Sequence, residues 1–464
     1  MNIFFLFQQV PTYHLFIEGV LFVWVLWLLL KKNSNPLEEK ALTESEKEAL
    51  IEEWTPEPIV PQDFVPDLNV INTPVVDGRI GKEIIVNSKK CLNLASHNYL
   101  GLSENRKIDE EIIQGIKQYG VGSCGPRGFY GTTEAHLDLE KKLAEFLGVE
   151  EVIHYSYGYS AIASAIPAYS KRGDVIFVDA GVSFPVQKSV EASRSDVYYF
   201  KHNDMEDLER VILKQIEKES QKLKKKAVRK FIVVEGIYLN TGDICKLPEL
   251  IELKSKYKIR LFLEESVSFG VLGLTGKGVT EHFGIPIDHV DMIAANTEYA
   301  LASIGGFCAG TSYVIDHQRL CGLGYCFSAS LPPPIAVGTM EAVRILAEDT
   351  SVLLKLKEVC RFADVAFREA VPKLMLSGNP ESPVKHLYLK ESLGPRSTDK
   401  EILRKITEKA LEKSVCFVCP SYLENLEKNL PPPSIRLSLN CHLSREEILN
   451  AANALSEAVT YIIN

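Results

Sequence analysis

Short apolar runs recur along the chain: VIHYS at 152, VIFVDA at 175, VYYF at 197, FIVVEG at 231, RLFLEES at 260 and MIAANT at 292. Between most of them lie amphipathic or charged segments such as HLDLEKKLAEFLG and DMEDLERVILKQIEKE. A β-branched run without polar alternation is a strand covered on both faces, and the helical segments supply the cover. The pattern therefore predicts an α/β fold with a mostly parallel sheet. From about residue 345 the texture changes to helices (VRILAEDTSVLLKLKEVCRFADVAFREAV) and short strands (HLYLK, SIRLSL), which predicts a smaller C-terminal α+β domain. The expected division is 1–32, 33–90, 91–344 and 345–464.

The N-terminus follows a different rule. Tyr13 to Leu30 reads YHLFIEGVLFVWVLWLLL, interrupted only by His14 and Glu18. At about 1.5 Å per residue an eighteen-residue helix reaches roughly 27 Å, enough for a thin bilayer. No basic stretch precedes the run and no small-residue cleavage site follows it, which disfavours a secretory signal. Lys31 and Lys32 place the downstream chain on the cytoplasmic side. The expectation is one N-terminal transmembrane helix with a cytosolic body; a buried or interfacial helix is the alternative. Glu18 inside the run is costly in lipid, which calls for an interfacial position or a contact with a small regulatory membrane subunit. Thr43 and Glu46 have capping-box spacing before ALIEEW, and the four prolines of TPEPIVPQDFVP read as an extended connector.

Composition excludes more than it assigns. Lys and Arg total 52 against 61 acidic residues, a net charge of −9 without the clustered positive charge that nucleic acid needs. The basic run KLKKKAVRK at 222–230 reads as a solvated helix end. Ten cysteines are scattered, with no C-x-x-C pair of pairs for a metal, and a reducing compartment fits. Cys416 and Cys419 read as part of a buried strand rather than a redox pair.

The remaining signal lies in six segments: VGSCGPRGFYGTTEAHLDLE (121–140), SYGYSAIASA (156–165), VVEGIYLNTGDICKLPEL (233–250), FLEESVSFGVLGLTGKG (262–278), NTEYALASIGGFCAG (296–310) and YCFSASLPPP (325–334). Their order and wording resemble the α-oxoamine synthases, pyridoxal-phosphate enzymes of fold type I, and most closely the serine palmitoyltransferase branch. The resemblance runs over essentially the whole chain. It implies a fold-type I transferase and a reaction that condenses L-serine with palmitoyl-CoA, releasing CO2 and CoA and giving 3-ketodihydrosphingosine.

Such an enzyme needs an amine for the internal Schiff base, a carboxylate against the pyridinium nitrogen and an aromatic plate over the ring. Against the family pattern this chain departs at each place. The lysine position, counted back from Gly305 and Gly306, is Tyr299, whose phenol forms no imine, and no lysine occurs between Lys277 and Lys355. The aspartate is Glu264, the following histidine is Val267, and the stacking histidine is Ser183. The expectation is a chain without cofactor chemistry of its own, paired with a lysine-bearing subunit that holds pyridoxal 5′-phosphate covalently.

In this family two chains share sites at their interface. The resemblance therefore implies that the loop from Gly125 to Tyr130, with Arg127 and Tyr130, and the segment around Ser183 line the partner's cleft. Ser328 and Ser330 would offer hydroxyls to the partner's cofactor phosphate. On this reading Arg127→Ala cuts turnover without dissolving the complex; the alternative is a tight turn for packing. Arg436 in SIRLSL matches the arginine that holds the amino-acid carboxylate in active relatives, and here reads first as a paired structural arginine. His136 reads as a capping or packing residue, and Tyr155, Tyr157 and Tyr159 as fillers of the space left by the cofactor. No metal site is expected. Two rivals stand beside this reading: a self-sufficient oxoamine synthase and a membrane scaffold with no part in any site. The family further implies the endoplasmic reticulum.

Overall fold

The computed structural model describes residues 12–33, 42–56, 58–59, 74–221 and 228–463. Most of the Pro-rich connector and residues 222–227 of the basic run lie outside the described residues. The chain divides into two compact units, Met1–Thr73 and Pro74–Asn464.

The first unit contains a 22-residue helix, Thr12–Asn33, whose Phe22, Val23, Trp24, Trp27 and Leu30 side chains are all exposed. The transmembrane span expected from the sequence is not found: among the described residues no helix is long and apolar enough to cross a membrane. His14 and Glu18 confine the uncharged stretch to Gly19–Leu30, which reaches only about 18 Å. A second helix, Glu44–Glu53, starts at a true capping box: Thr43 N donates to Glu46 at 2.8 Å and Glu46 N to the Thr43 hydroxyl at 3.3 Å.

The second unit is built on three sheets. Its strands in chain order are β1 Val76–Asp77, β2 Glu83–Val86, β3 Lys89–Asn93, β4 Glu151–Tyr155, β5 Val175–Asp179, β6 Asp196–Phe200 and β7 Lys230–Glu235. They continue with β8 Arg260–Glu264, β9 Met292–Asn296, β10 Gly306–Gly310, β11 Leu374–Ser377, β12 Val384–Leu389, β13 Val415–Cys416 and β14 Ser434–Ser438. The central sheet has the order β4-β10-β9-β8-β7-β5-β6. Its strands are parallel except β10, which pairs antiparallel with both neighbours. Ile176, Ile232, Val233 and Leu261 on its inner strands are wholly buried, as expected of strands covered on both faces.

Two smaller sheets complete the unit. β1-β2-β3 are joined by β13, so a segment from the start of the unit pairs with one far along the chain. Cys416 lies in β13 and is buried, and all ten cysteines are free. β11-β12-β14 form an antiparallel sheet. The parallel strands β5, β7, β8 and β9 end at Asp179, Glu235, Glu264 and Asn296, and open sheets bind ligands beyond such carboxyl ends.

Candidate functional site at the carboxyl edge of the central sheet

A cleft of about 400 Å³ lies at this edge. Ser183, Glu264, Val267 and Tyr299 all line it, together with Tyr157, Tyr159, Ser160, Ser266, Asn296 and Glu298. Ser183 precedes the helix Phe184–Ala192 and donates its backbone N–H to Glu235 at 2.5 Å. Glu264 ends β8 and accepts from Ser266 N at 2.9 Å. Burial, reinforced by the neighbouring Glu235, pushes the Glu264 carboxyl well above the usual range.

Tyr299 follows β9 on a turn that Gly305 closes at φ +122°; a Cβ at that glycine would sit 2.6 Å from the His154 ring. The Tyr299 ring packs 4.2 Å from that of His97, and burial raises its phenol pKa. A neutral phenol has no electrophile-seeking amine to offer. Glu298, absent from the sequence reading, places a carboxylate at the N-terminus of the helix Gly158–Tyr169, where Gly158 N donates to it at 3.3 Å. That end of a helix is where an anionic phosphate would be held. The only signal for Glu298 was its place beside Tyr299 in NTEYA. Among the described residues no lysine, arginine or histidine lines the cleft. With no imine-forming amine, no ring-stacking group at 183 and a carboxylate on the helix end, the residues present do not fit pyridoxal phosphate.

Arg127, Tyr130, Ser328 and Ser330 lie outside the lining of this cleft. Arg127 is buried in a bidentate ion pair, Nη1 and Nη2 donating to the two Glu140 oxygens at 2.8 and 3.0 Å. Its Nε donates to the Thr132 hydroxyl at 2.9 Å. The arginine therefore faces inward and pins its own loop. Ser330 donates its hydroxyl to Gly125 O at 3.1 Å and is likewise occupied within the chain. Phe129 and Tyr130 instead project from the loop, 69% and 104% exposed, and Tyr130 holds φ +64°. Ser328 is half-buried.

His136 is a capping residue. Its Nδ1 accepts from Thr133 N at 3.0 Å, so Nε2 donates to Leu331 O at 2.7 Å, and burial lowers its pKa. The three tyrosines do not fill the cleft. Tyr155 is buried elsewhere and donates to Gln318 at 2.6 Å, while Tyr157 and Tyr159 stand half-exposed on the walls. Arg436 makes no ion pair among the described residues: its one side-chain hydrogen bond runs from Nη2 to Ala95 O at 3.1 Å, and its buried Nε has no partner. Among the described residues no group of three or more His, Cys, Asp or Glu is placed to hold a metal ion.

Residues 89–455 match the family model for aminotransferase class I and II. The chain is 42% identical over 458 residues to serine palmitoyltransferase 1 of Dictyostelium discoideum, covering 97% of this chain and 94% of that one. It is 43% identical over 450 residues to long chain base biosynthesis protein 1b of Oryza sativa subsp. japonica, covering 97% and 92%. Among solved structures, a Sphingomonas wittichii serine palmitoyltransferase superposes with a TM-score of 0.75 at 23% identity, covering 90% of this chain and 96% of that one. A serine palmitoyltransferase from S. paucimobilis with bound PLP–myriocin aldimine gives 0.75 at 20% identity, covering 84% and 93%.

Proposed function

Because this chain belongs to the serine palmitoyltransferase 1 and long chain base biosynthesis protein 1 family of class I and II aminotransferase-like proteins, we propose that it is the lysine-lacking subunit of a serine palmitoyltransferase. The enzyme condenses L-serine with palmitoyl-CoA to 3-ketodihydrosphingosine, CO2 and CoA, the entry to sphingolipid synthesis. Pyridoxal phosphate is carried by a lysine-bearing subunit 2, where it supplies the electron sink for the serine carbanion. The observation that carries the assignment of roles is Tyr299, a buried phenol where the amine must stand, in a cleft without any basic side chain.

This chain's own residues act by shape. Arg127, held by Glu140, fixes the turn that presents Phe129 and Tyr130, and Ser330 ties the FSASLPPP segment to Gly125. We place Phe129, Tyr130 and Ser328 at the partner's cleft, with Arg127 and Ser330 as positioning residues behind them. Exposed aromatic side chains of this kind are suited to an interface core.

The helix Thr12–Asn33 attaches the chain to the endoplasmic reticulum membrane. Its exposed Phe, Val, Trp and Leu side chains support lipid contact. Deleting residues 1–33 should move the chain from the membrane to the soluble fraction on flotation, and unchanged flotation would refute the attachment.

Purification of this chain alone, the lysine-bearing subunit alone and the two together tests the division of labour. Turnover is expected from the mixture only. Serine turnover by this chain unaided would overturn the proposal, and full activity of a Phe129→Ala/Tyr130→Ala complex would favour a pure scaffold.

A further inference from the structure

Glu264 ends β8 and Glu298 follows β9, so two carboxylates share the cleft at the sheet edge. Among the described residues that cleft has no cation in its lining, and burial pushes both carboxyls up. Glu235, which accepts from Ser183 N, is a third buried acid and reinforces the shift at Glu264. A cationic ligand answers that imbalance, whereas an anionic phosphate aggravates it.

A second, independent demand comes from Asn296, the last residue of β9, which is 5% exposed and lines the same cleft. Its Oδ1 accepts from the backbone N–H of Glu298 at 3.2 Å and of Tyr299 at 3.3 Å, which fixes the amide. Nδ2 is thereby turned away from the chain reversal and has no partner among the described residues. A buried amide donor left unpaired is costly, so it calls for an oxygen beside the cation. Ile162, Pro185, Leu239 and Val267 complete the lining with an apolar wall on which a hydrocarbon chain can lie.

We infer that this cleft is a non-covalent site for the amino-alcohol end of a long-chain base, its ammonium toward Glu264 and Glu298, its oxygen on Asn296 Nδ2 and its chain against the apolar wall. The inference rests on the reading above that no imine forms in this chain and that the complex makes a long-chain ketone with vicinal amine and hydroxyl groups. Each feature of that head meets one feature of the cleft, whereas a phosphate or a carboxylate would face the two acids. Arg436 takes no part. Such a site lets accumulating product act on the half of the complex that carries out no chemistry.

The test uses the full chain purified without its partner, with saturation-transfer NMR and calorimetry as readouts. The probe is norleucinol, a soluble amino alcohol with a short chain, and its saturable binding is expected. Pentylamine, which lacks the hydroxyl, and vicinal hexanediol, which lacks the amine, should each bind about 10-fold more weakly, the effect of one unmet buried polar group. Norleucine, with a carboxylate in place of the hydroxymethyl group, should be weaker by about the same factor, because no cation in the lining receives it. Glu298→Gln, at a half-buried position, keeps its acceptor for Gly158 N and should lower norleucinol affinity about 10-fold. Asn296→Asp keeps the acceptor for both backbone N–H groups and removes the donor, so norleucinol's advantage over pentylamine should disappear. The ranking of probes on the parent chain needs no variant and carries the test if either substitution fails to fold. Absence of saturable norleucinol binding, hexanediol or norleucine as tight as norleucinol, or norleucinol affinity unchanged by Glu298→Gln would overturn the inference, as would an undiminished preference for the hydroxyl in Asn296→Asp. Pyridoxal phosphate added to amine-free protein reports separately: a stoichiometric visible absorption band that survives desalting would sink the lysine-lacking assignment itself.

Discussion

Replacing Arg127 by methionine separates two accounts of the GPRGFYG loop. The Arg127 and Glu140 side chains are 5% and 8% exposed, and the guanidinium is held through both terminal nitrogens. Removing one member of a buried pair leaves the other charge stranded, which costs about 3–5 kcal/mol. Glu140 cannot swing to solvent to relieve this, because the same carboxylate accepts from His154 N at 2.9 Å and so ties the loop to β4. The second unit has about 390 residues, for which the entropy of unfolding is roughly 0.8 kcal/mol/K. The expected fall in Tm is therefore about 4–6 °C for Arg127→Met, measured by calorimetry at a fixed scan rate. Adding Glu140→Gln removes the stranded charge while its amide oxygen still accepts from His154 N, so the double variant should recover most of the loss. If Arg127→Met instead melts within about 1 °C of the parent while turnover of the complex collapses, the arginine works in the partner's cleft and the positioning account is wrong.

Three further outcomes follow from named contacts. The His202 ring is clamped between Asp179 (2.8 Å) and Asp243 (3.3 Å); burial opposes its charge, but the two carboxylates win and raise its pKa to about 9. A raised histidine pKa stabilises the fold fully below about pH 6.5 and loses that contribution as pH climbs through 9; Tm should fall over that interval, and His202→Gln should flatten the slope. Tyr299→Lys alone should take up little pyridoxal phosphate, because Glu298 holds the helix N-terminus, whereas Tyr299→Lys/Glu298→Ser should load more, read from visible absorption; equal loading would refute a blocking role for Glu298. Phe129→Ala/Tyr130→Ala should leave Tm within about 1 °C, since both side chains are exposed, yet lower turnover of the complex by roughly 10-fold or more, the size of a lost interface anchor.

The sequence was most legible where covalent pattern and packing demand coincide. β4 to β9 were each announced by a short apolar run, because strands buried on both faces admit little else. β10 was not, since GFCAG begins and ends with glycine and its apolar run is only three residues; its strand state comes from the slot between β4 and β9. The sheet that joins β3 to β13 was invisible for a different reason: its partners are more than three hundred residues apart, and two residues of β13 carry no period. In the cleft, Ser183, Glu264, Val267 and Tyr299 could be named from motif position alone, because each ends or follows a strand at the same sheet edge. What motif position does not reveal is orientation. Arg127 and Tyr130 sit three residues apart in one loop, yet one is sealed against Glu140 and the other stands wholly in solvent.

That contrast bears on why an active-site framework persists in a chain that has lost its amine. The cleft presents Glu298, a tyrosine and bare hydroxyls, and no basic side chain among the described residues. What is intact is the scaffolding behind it: the Arg127–Glu140–His154 chain of hydrogen bonds, the His136 cap onto Leu331, and Glu235 accepting from Ser183 N and from Leu239 N at 3.0 Å. Each of these fixes the course of a loop rather than a reacting group. Buried polar networks of this kind are destabilising when half-satisfied and rigidifying when complete. A subunit whose task is to present a fixed surface to an active partner needs them complete. Two buried groups stand outside this account: the His154 ring, whose nitrogens have no partner among the described residues, and Arg436, whose side chain makes one hydrogen bond, to Ala95 O.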